Sequence, residues 1–180
     1  MTSPIIIGID PGYDRLGWAV GQSGPNGWQI LDQGCIITNR QGQIEERYQQ
    51  ILTDLAAIIE RYHPEEAAIE TLFWFKNQTT AMQVSEARGL IMATLLRAGL
   101  KISQYTPLQI KQAVTGYGRA DKKAVEKMVR LELAIDQNRA KDILDDTFDA
   151  LALLLCHQAS RKLKQLWLLT SKDRWLLKII

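Results

Sequence analysis

The order of apolar and polar residues predicts a group of β-strands near the N-terminus. Residues 5–9 are a nearly continuous apolar run that ends at Asp10, and Pro-Gly follows. Such a run is typical of a strand buried on both faces. Residues 16–20 and 28–38 have the composition of two further strands, separated by turn residues at 23–27. Short turns between consecutive strands predict an antiparallel meander, and Gly34 is a candidate for a β-bulge.

From residue 44 onward the apolar period changes to that of a helix. Apolar residues recur every three or four positions over 44–62, and a short apolar strand at 67–70 follows and ends at Glu70. Because a strand, a crossover helix and a second strand normally form a parallel pair, we expect the Glu70 strand to lie beside the Asp10 strand. Further predicted elements are helices at 79–98, 107–114, 122–133 and 143–160 and a strand at 102–105.

The predicted helix 79–98 carries apolar residues around most of its circumference. A stripe this wide exceeds the width that one face of a sheet covers. Either other helices of the same chain or a second copy of the chain would cover the remainder, and the pattern alone does not separate these two arrangements.

Four carboxylates occupy positions that are unfavourable for stability alone. Asp10 and Glu70 each end a predicted parallel strand, where ligands usually bind in open α/β sheets. Asp146 and Asp149 are three residues apart and share one face of the last helix. Structural explanations exist for some of these acids. The Asp10 side chain could instead form a hydrogen bond within its own Pro-Gly turn. The helix dipole favours acids in the first turn of a helix, but Asp149 lies beyond the first turn.

Brought together, these four acids would raise one another's pKa values unless a cation joined them. Mg²⁺ prefers carboxylate oxygens and keeps water for substrate phosphates. Two such ions can activate water and stabilise the leaving oxygen in phosphodiester cleavage. The four acids therefore predict a metal-dependent site for phosphate chemistry.

The charge distribution points to a polyanionic partner. Residues 105–141 hold 8 basic and 4 acidic side chains, whereas residues 142–160 hold 4 acidic and no basic ones. Lys122 and Lys123 lie in the first turn of a predicted helix, where cations are unfavourable, so they are candidates for binding a phosphate backbone. Plain solubility explains such a block equally well. The aromatic run 73–75 is a candidate stacking surface or a lid on the core.

Cysteine use and hydropathy favour an intracellular setting. Cys35 and Cys156 are the only cysteines, and their apolar surroundings fit buried thiols in a reducing compartment. The sequence shows neither a signal-peptide pattern nor an apolar run long enough to span a bilayer. We therefore expect a cytoplasmic protein with no membrane span.

Over roughly residues 4–160 the chain resembles the RuvC family, the bacterial Holliday-junction resolvases. The resemblance is carried jointly by several motifs in order, each of them weak alone: Ile-Gly-Ile-Asp10-Pro-Gly, Ala-Ile-Glu70-Thr-Leu-Phe73, Lys76-Asn77, Glu86-Ala-Arg88-Gly89, Pro107-Leu-Gln-Ile-Lys111-Gln-Ala-Val-Thr-Gly116, Lys122 and Asp146-Thr-Phe-Asp149. Gly-Ile-Asp alone also opens actin-like ATPases, but those need about twice this length for a second lobe.

The resemblance implies an α/β fold of the RNase H-like type, a five-stranded mixed sheet flanked by helices. It implies that Asp10, Glu70, Asp146 and Asp149 bind two Mg²⁺ ions, which Mn²⁺ can replace, and that paired symmetric nicks are made in four-way junction DNA. The implied DNA contacts are Phe73, Lys111 and Lys122, to which we add Lys76, Arg119 and Lys123. The implied partners are a second copy through the 79–98 helix and the branch-migration proteins RuvA and RuvB.

Two alternative functions stay open at this point: a YqgF-like ribonuclease acting on ribosomal RNA precursor, and a junction-binding module without catalysis. We divide the chain into a nuclease domain at 1–160 and a basic, apolar extension at 161–180. The extension matches no motif of the family, and it could pack on the domain, bind a partner or lie on a membrane surface.

Overall fold

The computed structural model describes residues 3–24, 27–71, 81–136 and 140–176, the last range with side chains to residue 164. Its centre is one mixed sheet with the spatial order β3-β2-β1-β4-β5. The strands are β1 (Ile6–Asp10), β2 (Arg15–Gly24), β3 (Gly27–Ile37), β4 (Glu66–Glu70) and β5 (Lys101–Tyr105). This is the five-stranded sheet that the sequence predicts.

Strand pairing follows from how the strands are connected. β1, β2 and β3 form antiparallel pairs through short turns, as predicted. β4 lies parallel to β1, with Ile9 opposite Ile69, and β5 lies parallel to β4. The predicted bulge at Gly34 is wrong. The register shift lies between Val20 and Gly21, and the space at Gly34 is instead used by the Trp18 ring, 3.1 Å from where a Cβ would stand.

Helices cover both faces of the sheet. The helices are α1 (Ile44–Tyr62), α2 (Ala81–Arg97), α3 (Pro107–Thr115), α4 (Lys122–Glu132) and α5 (Asp145–Leu176). α1 and α2 bury Ile51, Leu55 and Ile91 against one face, whereas α3, α4 and α5 enclose a second core on the other. Each fully buried Ile or Leu side chain contributes roughly 1.5–3 kcal/mol, so the two cores fix where the strand ends lie.

The last helix is longer than the sequence analysis predicts. We expected it to end near Ser160, but α5 continues to Leu176. Residues 161–176 contain neither Gly nor Pro, so nothing in the local sequence stops the helix. The domain boundary at residue 160 stays a prediction. Within the described ranges, no helix is both long enough and apolar enough to cross a bilayer.

Two glycines let α5 lie directly on the sheet. A Cβ on Gly8 would stand 2.3 Å from the main-chain oxygen of Ala150, and one on Gly17 would stand 1.9 Å from that of Asp146. Because these contacts are with backbone, no side-chain movement could relieve them. The first turns of α5 are thereby held against β1 and β2, close to Asp10.

Candidate active site

Asp10 and Glu70 lie at the carboxyl ends of two neighbouring parallel strands. Asp10 is the last residue of β1 and Glu70 the last of β4, and the paired residues Ile9 and Ile69 immediately precede them. Parallel pairing therefore brings the two carboxylates to one edge of the sheet, as the strand pattern predicts.

The remaining two acids reach this edge from α5. Asp146 lies in the first turn of α5 and Asp149 one turn further on. The close contacts at Gly8 and Gly17 hold this turn over β1 and β2. The dipole of the helix favours Asp145 and Asp146 in its first turn, but it gives no reason for Asp149, which is partly buried.

The electrostatic environment of Asp10 includes the other three acids. Burial raises the pKa of Asp10 well above its ordinary value, and the charges of Asp149, Glu70 and Asp146 raise it further, with Lys122 acting in the opposite direction. The backbone geometry agrees, because Gly17, which pairs with Asp10, lies against the main chain of Asp146. Glu70 and Asp149 line one cavity. These contacts bring the four acids to one edge of the sheet, and their joint role as a metal site stays a prediction.

Glu70 is perturbed in the same way. Burial raises the pKa of Glu70 to about 7, and the charge of Asp149 contributes, whereas Lys111 and Lys122 lower it. Burial is also the main cause of the raised pKa of Asp149. The site thus concentrates negative charge that the protein alone stabilises poorly.

Two basic side chains partly compensate for that charge. The Lys122 ammonium lies 3.1 Å from Asp149 Oδ2 and 3.5 Å from Asp145 Oδ2. The Arg15 guanidinium lies 3.3 Å from Asp146 Oδ2. The position of Lys122 at the start of α4 is unfavourable within the helix itself, and these acids across the cleft explain it.

Arg15 is the residue of this site that the sequence analysis missed. It begins β2, five residues after Asp10, and antiparallel pairing returns β2 to the Asp10 end of β1. The short spacing between the strands is the signal that could have identified it, because it brings the first side chains of β2 back to the acids.

A small cavity connects the acids with the predicted DNA-binding residues. Its volume is about 220 Å³, and its lining includes Glu70, Asp149, Lys111 and Lys122. The structure therefore places two of the predicted lysines beside two of the acids. Its walls are completed by Pro107, Ile110, Val125 and Ala152.

Two further predicted DNA contacts are exposed residues of the structure. Arg119 is exposed in the loop between α3 and α4, and Lys123 is exposed in the first turn of α4. Phe73 and Lys76 lie outside the described residues.

The donor set fits a hard divalent cation, although the side chains are not arranged as finished ligands. Among the residues that the structure describes, no three His, Cys, Asp or Glu side chains form a group that could hold a metal ion as they stand. Asp146 and Asp149 are instead engaged by Arg15 and Lys122. A cation would replace these contacts and relieve the repulsion that raises the pKa of Asp10.

Comparison with known proteins gives a consistent result. The family model described as crossover junction endodeoxyribonuclease RuvC matches residues 6–157. Crossover junction endodeoxyribonuclease RuvC of Petrotoga mobilis is 42% identical over 158 residues, which is 88% of this chain and 95% of the relative. Its counterpart from Roseiflexus sp. is 43% identical over 157 residues, 87% of this chain and 92% of the relative.

A solved structure agrees in fold. Thermus thermophilus RuvC in complex with Holliday junction substrate superposes with a TM-score of 0.81 at 30% identity, covering 89% of this chain and 96% of that one. The predicted RNase H-like fold is thereby confirmed. Nucleases of this family are metal-dependent. The matches span most of the chain, and the chain belongs to the RuvC family of crossover junction endodeoxyribonucleases.

Proposed function

We propose that this chain resolves four-way DNA junctions by paired symmetric nicks, with two divalent cations held by Asp10, Glu70, Asp146 and Asp149. The observation that best supports this proposal is the environment of Asp10. Its partly buried carboxyl lies within the electrostatic reach of the other three acids, an arrangement that is unfavourable for the protein alone. Mg²⁺ is the expected ion because the donors are carboxylate oxygens, and Mn²⁺ can replace it.

In phosphodiester cleavage of this kind, the main task of the protein is to position the metal ions and the substrate. When bound, two such cations supply an activated water and stabilise the departing 3′-oxygen, which leaves a 5′-phosphate. The acids are held rigidly, since Asp10 and Glu70 end paired strands and α5 packs on Gly8 and Gly17. Such fixed placement orients a phosphodiester for in-line attack.

Lysines beside the acids are suited to hold the scissile region of the DNA backbone. Lys111 and Lys122 share the cavity with Glu70 and Asp149. If Asp149 held a cation, the Lys122 ammonium would keep only its contact with Asp145 and could also bind a phosphate oxygen. Arg119 and Lys123, both exposed nearby, extend this basic surface along the DNA.

Phe73 and Lys76 keep their predicted roles. By resemblance to the family, Phe73 stacks against an unpaired base at the crossover, where stacking is worth roughly 1–3 kcal/mol per base. Lys76 would contact the adjacent backbone.

A homodimer would place two such sites on one junction, and the outer face of α2 is suited to form it. Met82 and Leu96 on this face are 70% and 62% exposed. Gly89 lies between them, and a Cβ there would meet no atom of the described residues within 4 Å. A glycine between two exposed apolar side chains allows a second helix to approach closely, as in a symmetric dimer.

The two other functions receive less support. The relatives reported above are named as endodeoxyribonucleases, which does not favour a YqgF-like ribonuclease. A binding module without catalysis would have no need of four mutually repelling acids. RuvA and RuvB are the proposed partners on the same junction, and the cytoplasm is the proposed location.

Cleavage of a synthetic junction by an Asp10→Asn variant tests the proposal. With Mg²⁺ the wild type should nick two opposing strands of like polarity, and Asp10→Asn should reduce the rate by at least about 10³-fold, a loss comparable to removal of a principal electrostatic group. Junction binding should be retained. Asp142→Asn, an exposed acid shortly before α5, is the matched control and should cleave normally. Normal cleavage by Asp10→Asn would refute the assignment.

A further inference from the structure

We propose that Arg15 and Arg40 form a second subsite, which binds a phosphodiester of the DNA backbone, and that cation binding at Asp146 makes this subsite available. The inference rests on the proposed function and deepens it. A cleft of about 400 Å³ is lined by Tyr13, Asp14, Arg15, Arg40, Val84 and Asp146. Asp146 therefore borders both this cleft and the acid cluster.

Both arginines are held on ordered backbone. Arg15 begins β2 and pairs with Ile37 of β3. Arg40 lies just beyond β3, in a turn closed by a hydrogen bond from the Gly42 amide to the Asn39 carbonyl oxygen at 3.0 Å. The two guanidinium groups are thus presented by neighbouring segments, which lowers the entropic cost of binding one ligand with both.

Arg40 is not needed to neutralise its partner. Its Nε lies 3.2 Å from Asp14 Oδ2, but Asp14 is also bound by Arg47, a buried residue. Arg47 in turn donates to the Tyr13 carbonyl oxygen and to Thr38 Oγ1. Arg40 is 70% exposed, so an exposed pair of this kind contributes little to stability and its guanidinium can bind a second anion.

Arg15 forms an ion pair with Asp146, which is also a proposed ligand of the cation. Its contact with Asp146 joins Nη1 to Oδ2 at 3.3 Å, and its side chain is 45% exposed. A guanidinium has five N–H donors in a fixed fork, and this contact uses one nitrogen. When Asp146 binds a divalent cation, Arg15 loses its counter-ion while remaining in the cleft.

The charge of the cleft therefore depends on the cation. Without it, the arginines face Asp14 and Asp146. With Asp146 neutralised, Arg15 and Arg40 face Asp14 alone, and Asp14 is also bound by the buried Arg47. Two guanidinium groups bind phosphate oxygens well and in a defined geometry, so the cleft becomes a site for the DNA backbone next to the cleavage centre. Cation and DNA would then strengthen each other's binding, because such coupling is reciprocal.

Junction binding with and without a divalent cation tests this coupling. The variants are Arg15→Gln and Arg40→Gln, and the control is Lys101→Gln. Lys101 is exposed and begins β5, at the end of the sheet opposite Glu70. Affinity for a labelled four-way junction is measured by anisotropy in EDTA and in Ca²⁺, at several salt concentrations, after confirming that the junction stays intact in Ca²⁺.

We expect Arg15→Gln to weaken binding several-fold in Ca²⁺ and to reduce the salt slope by about one, as the loss of one phosphate contact does. In EDTA it should change affinity by less than about twofold, because Arg15 is then held by Asp146. Arg40→Gln should weaken binding in Ca²⁺ as well. By calorimetry without DNA, Arg15→Gln should bind Mg²⁺ more tightly than the wild type, since the cation no longer displaces a guanidinium group.

Any one of three results would overturn the inference. Arg15→Gln could weaken junction binding equally in EDTA and in Ca²⁺, or leave the Mg²⁺ affinity unchanged. The arginine variants could also lose no more junction affinity than Lys101→Gln. Failure of the proposed function would look different. The wild type itself would then fail to bind and cut the junction, whatever the arginine variants do.

Discussion

The main chain of Asp146 lies so close to Gly17 that a Cβ at position 17 would stand 1.9 Å from the Asp146 carbonyl oxygen. This contact fixes how far the first turn of α5 lies from β2, and so where the Asp146 carboxylate lies relative to Asp10. A Gly17→Ala substitution must push α5 away, because backbone cannot rotate aside as a side chain would. We expect a loss of roughly 1–3 kcal/mol of stability from overpacking.

The loss of activity should exceed what the stability change explains. A displacement of about 1 Å at a catalytic site can cost about 10²-fold in rate, so single-turnover junction cleavage should fall by about that factor in protein that is still folded. Gly24→Ala is the control on the same strand, since among the described residues a Cβ there would meet only the Gly27 oxygen, at an ordinary 3.5 Å. A Gly17→Ala variant that cleaves as fast as Gly24→Ala would contradict this role for the contact.

Asp10 should destabilise the protein in the absence of metal. Burial and the charges of Asp149, Glu70 and Asp146 raise the pKa of Asp10, which means that its ionised form is less favourable in the folded state than in the unfolded one. Asp10→Asn removes that charge at nearly constant shape. In EDTA at neutral pH the variant should therefore melt at a higher temperature than the wild type, by about 2–4 °C for each kcal/mol relieved.

Added Mg²⁺ should reverse this order. The wild type binds the cation in its folded state and gains stability by mass action, whereas Asp10→Asn lacks one of the four proposed ligands and should gain less. Thermal melts of both proteins in EDTA and in Mg²⁺ make the comparison, with Asp142→Asn as the reference. If Asp10→Asn melts below the wild type in EDTA, then Asp10 contributes a stabilising structural contact that the present assignment leaves out.

A buried polar group far along α5 should make stability depend on pH. His157 Nδ1 lies 2.7 Å from the Tyr105 hydroxyl, and Nε2 lies 2.7 Å from Glu66 Oε2. A neutral ring fits both contacts if Tyr105 donates to Nδ1 and Nε2–H donates to Glu66. Burial lowers the pKa of His157 and outweighs Glu66, which raises it, while Arg161 lowers it further.

The lowered pKa of His157 determines how its contribution to stability changes with pH. Below about pH 6.5, the usual histidine pKa, the unfolded chain binds a proton that folded His157 does not, so stability falls as the pH decreases from about 7 to 5. Denaturant unfolding at pH 7.5 and 5.5 should show this loss, and His157→Gln should show less of it. The difference between the two proteins is the relevant quantity, because Glu70, whose pKa is raised to about 7, titrates in the same range in both. An equal loss in both proteins would mean that His157 is not responsible.

The parts of the fold set by local pattern could be predicted from the sequence. The apolar run before Asp10 and the crossover through α1 determine that β4 lies parallel to β1, and this alone brings Glu70 to Asp10. The three-residue spacing of Asp146 and Asp149 then indicates that both lie on the same face of a helix. The four acids could be singled out because each of them ends a strand or lies on one face of the last helix.

The parts that depend on contacts between distant segments could not be predicted. The bulge opposite Val20 follows from how β2 and β3 pair, and Gly34 serves instead to admit the Trp18 ring. The Arg15–Asp146 pair and the contacts of His157 each join segments far apart in the chain. A sequence shows which side chains are polar but not which of them meet across a sheet. The strand spacing could have brought Arg15 to the acids, but nothing in the sequence indicates that Arg40 lines the same cleft.

The exposed face of α2 leads to a prediction about assembly. We expect the wild type to be a dimer at micromolar concentration by light scattering, with Gly89 at the centre of the interface. Gly89→Phe should shift it to the monomer, because a large ring prevents close approach of two helices. The fold of each chain should survive, since the position opens onto free space and any residue other than Pro favours a helix over Gly by up to roughly 1 kcal/mol.

The consequence for activity separates assembly from catalysis. A monomer keeps Asp10 and its neighbours but offers one site per junction, so Gly89→Phe should lose the coupling between the two nicks and bind the junction more weakly. Gln49→Phe places the same ring at an exposed position of α1 and should remain dimeric with paired nicks. If Gly89→Phe is as dimeric as Gln49→Phe, the second copy must contact another surface, and the apolar residues Met82 and Leu96 would then need a different explanation.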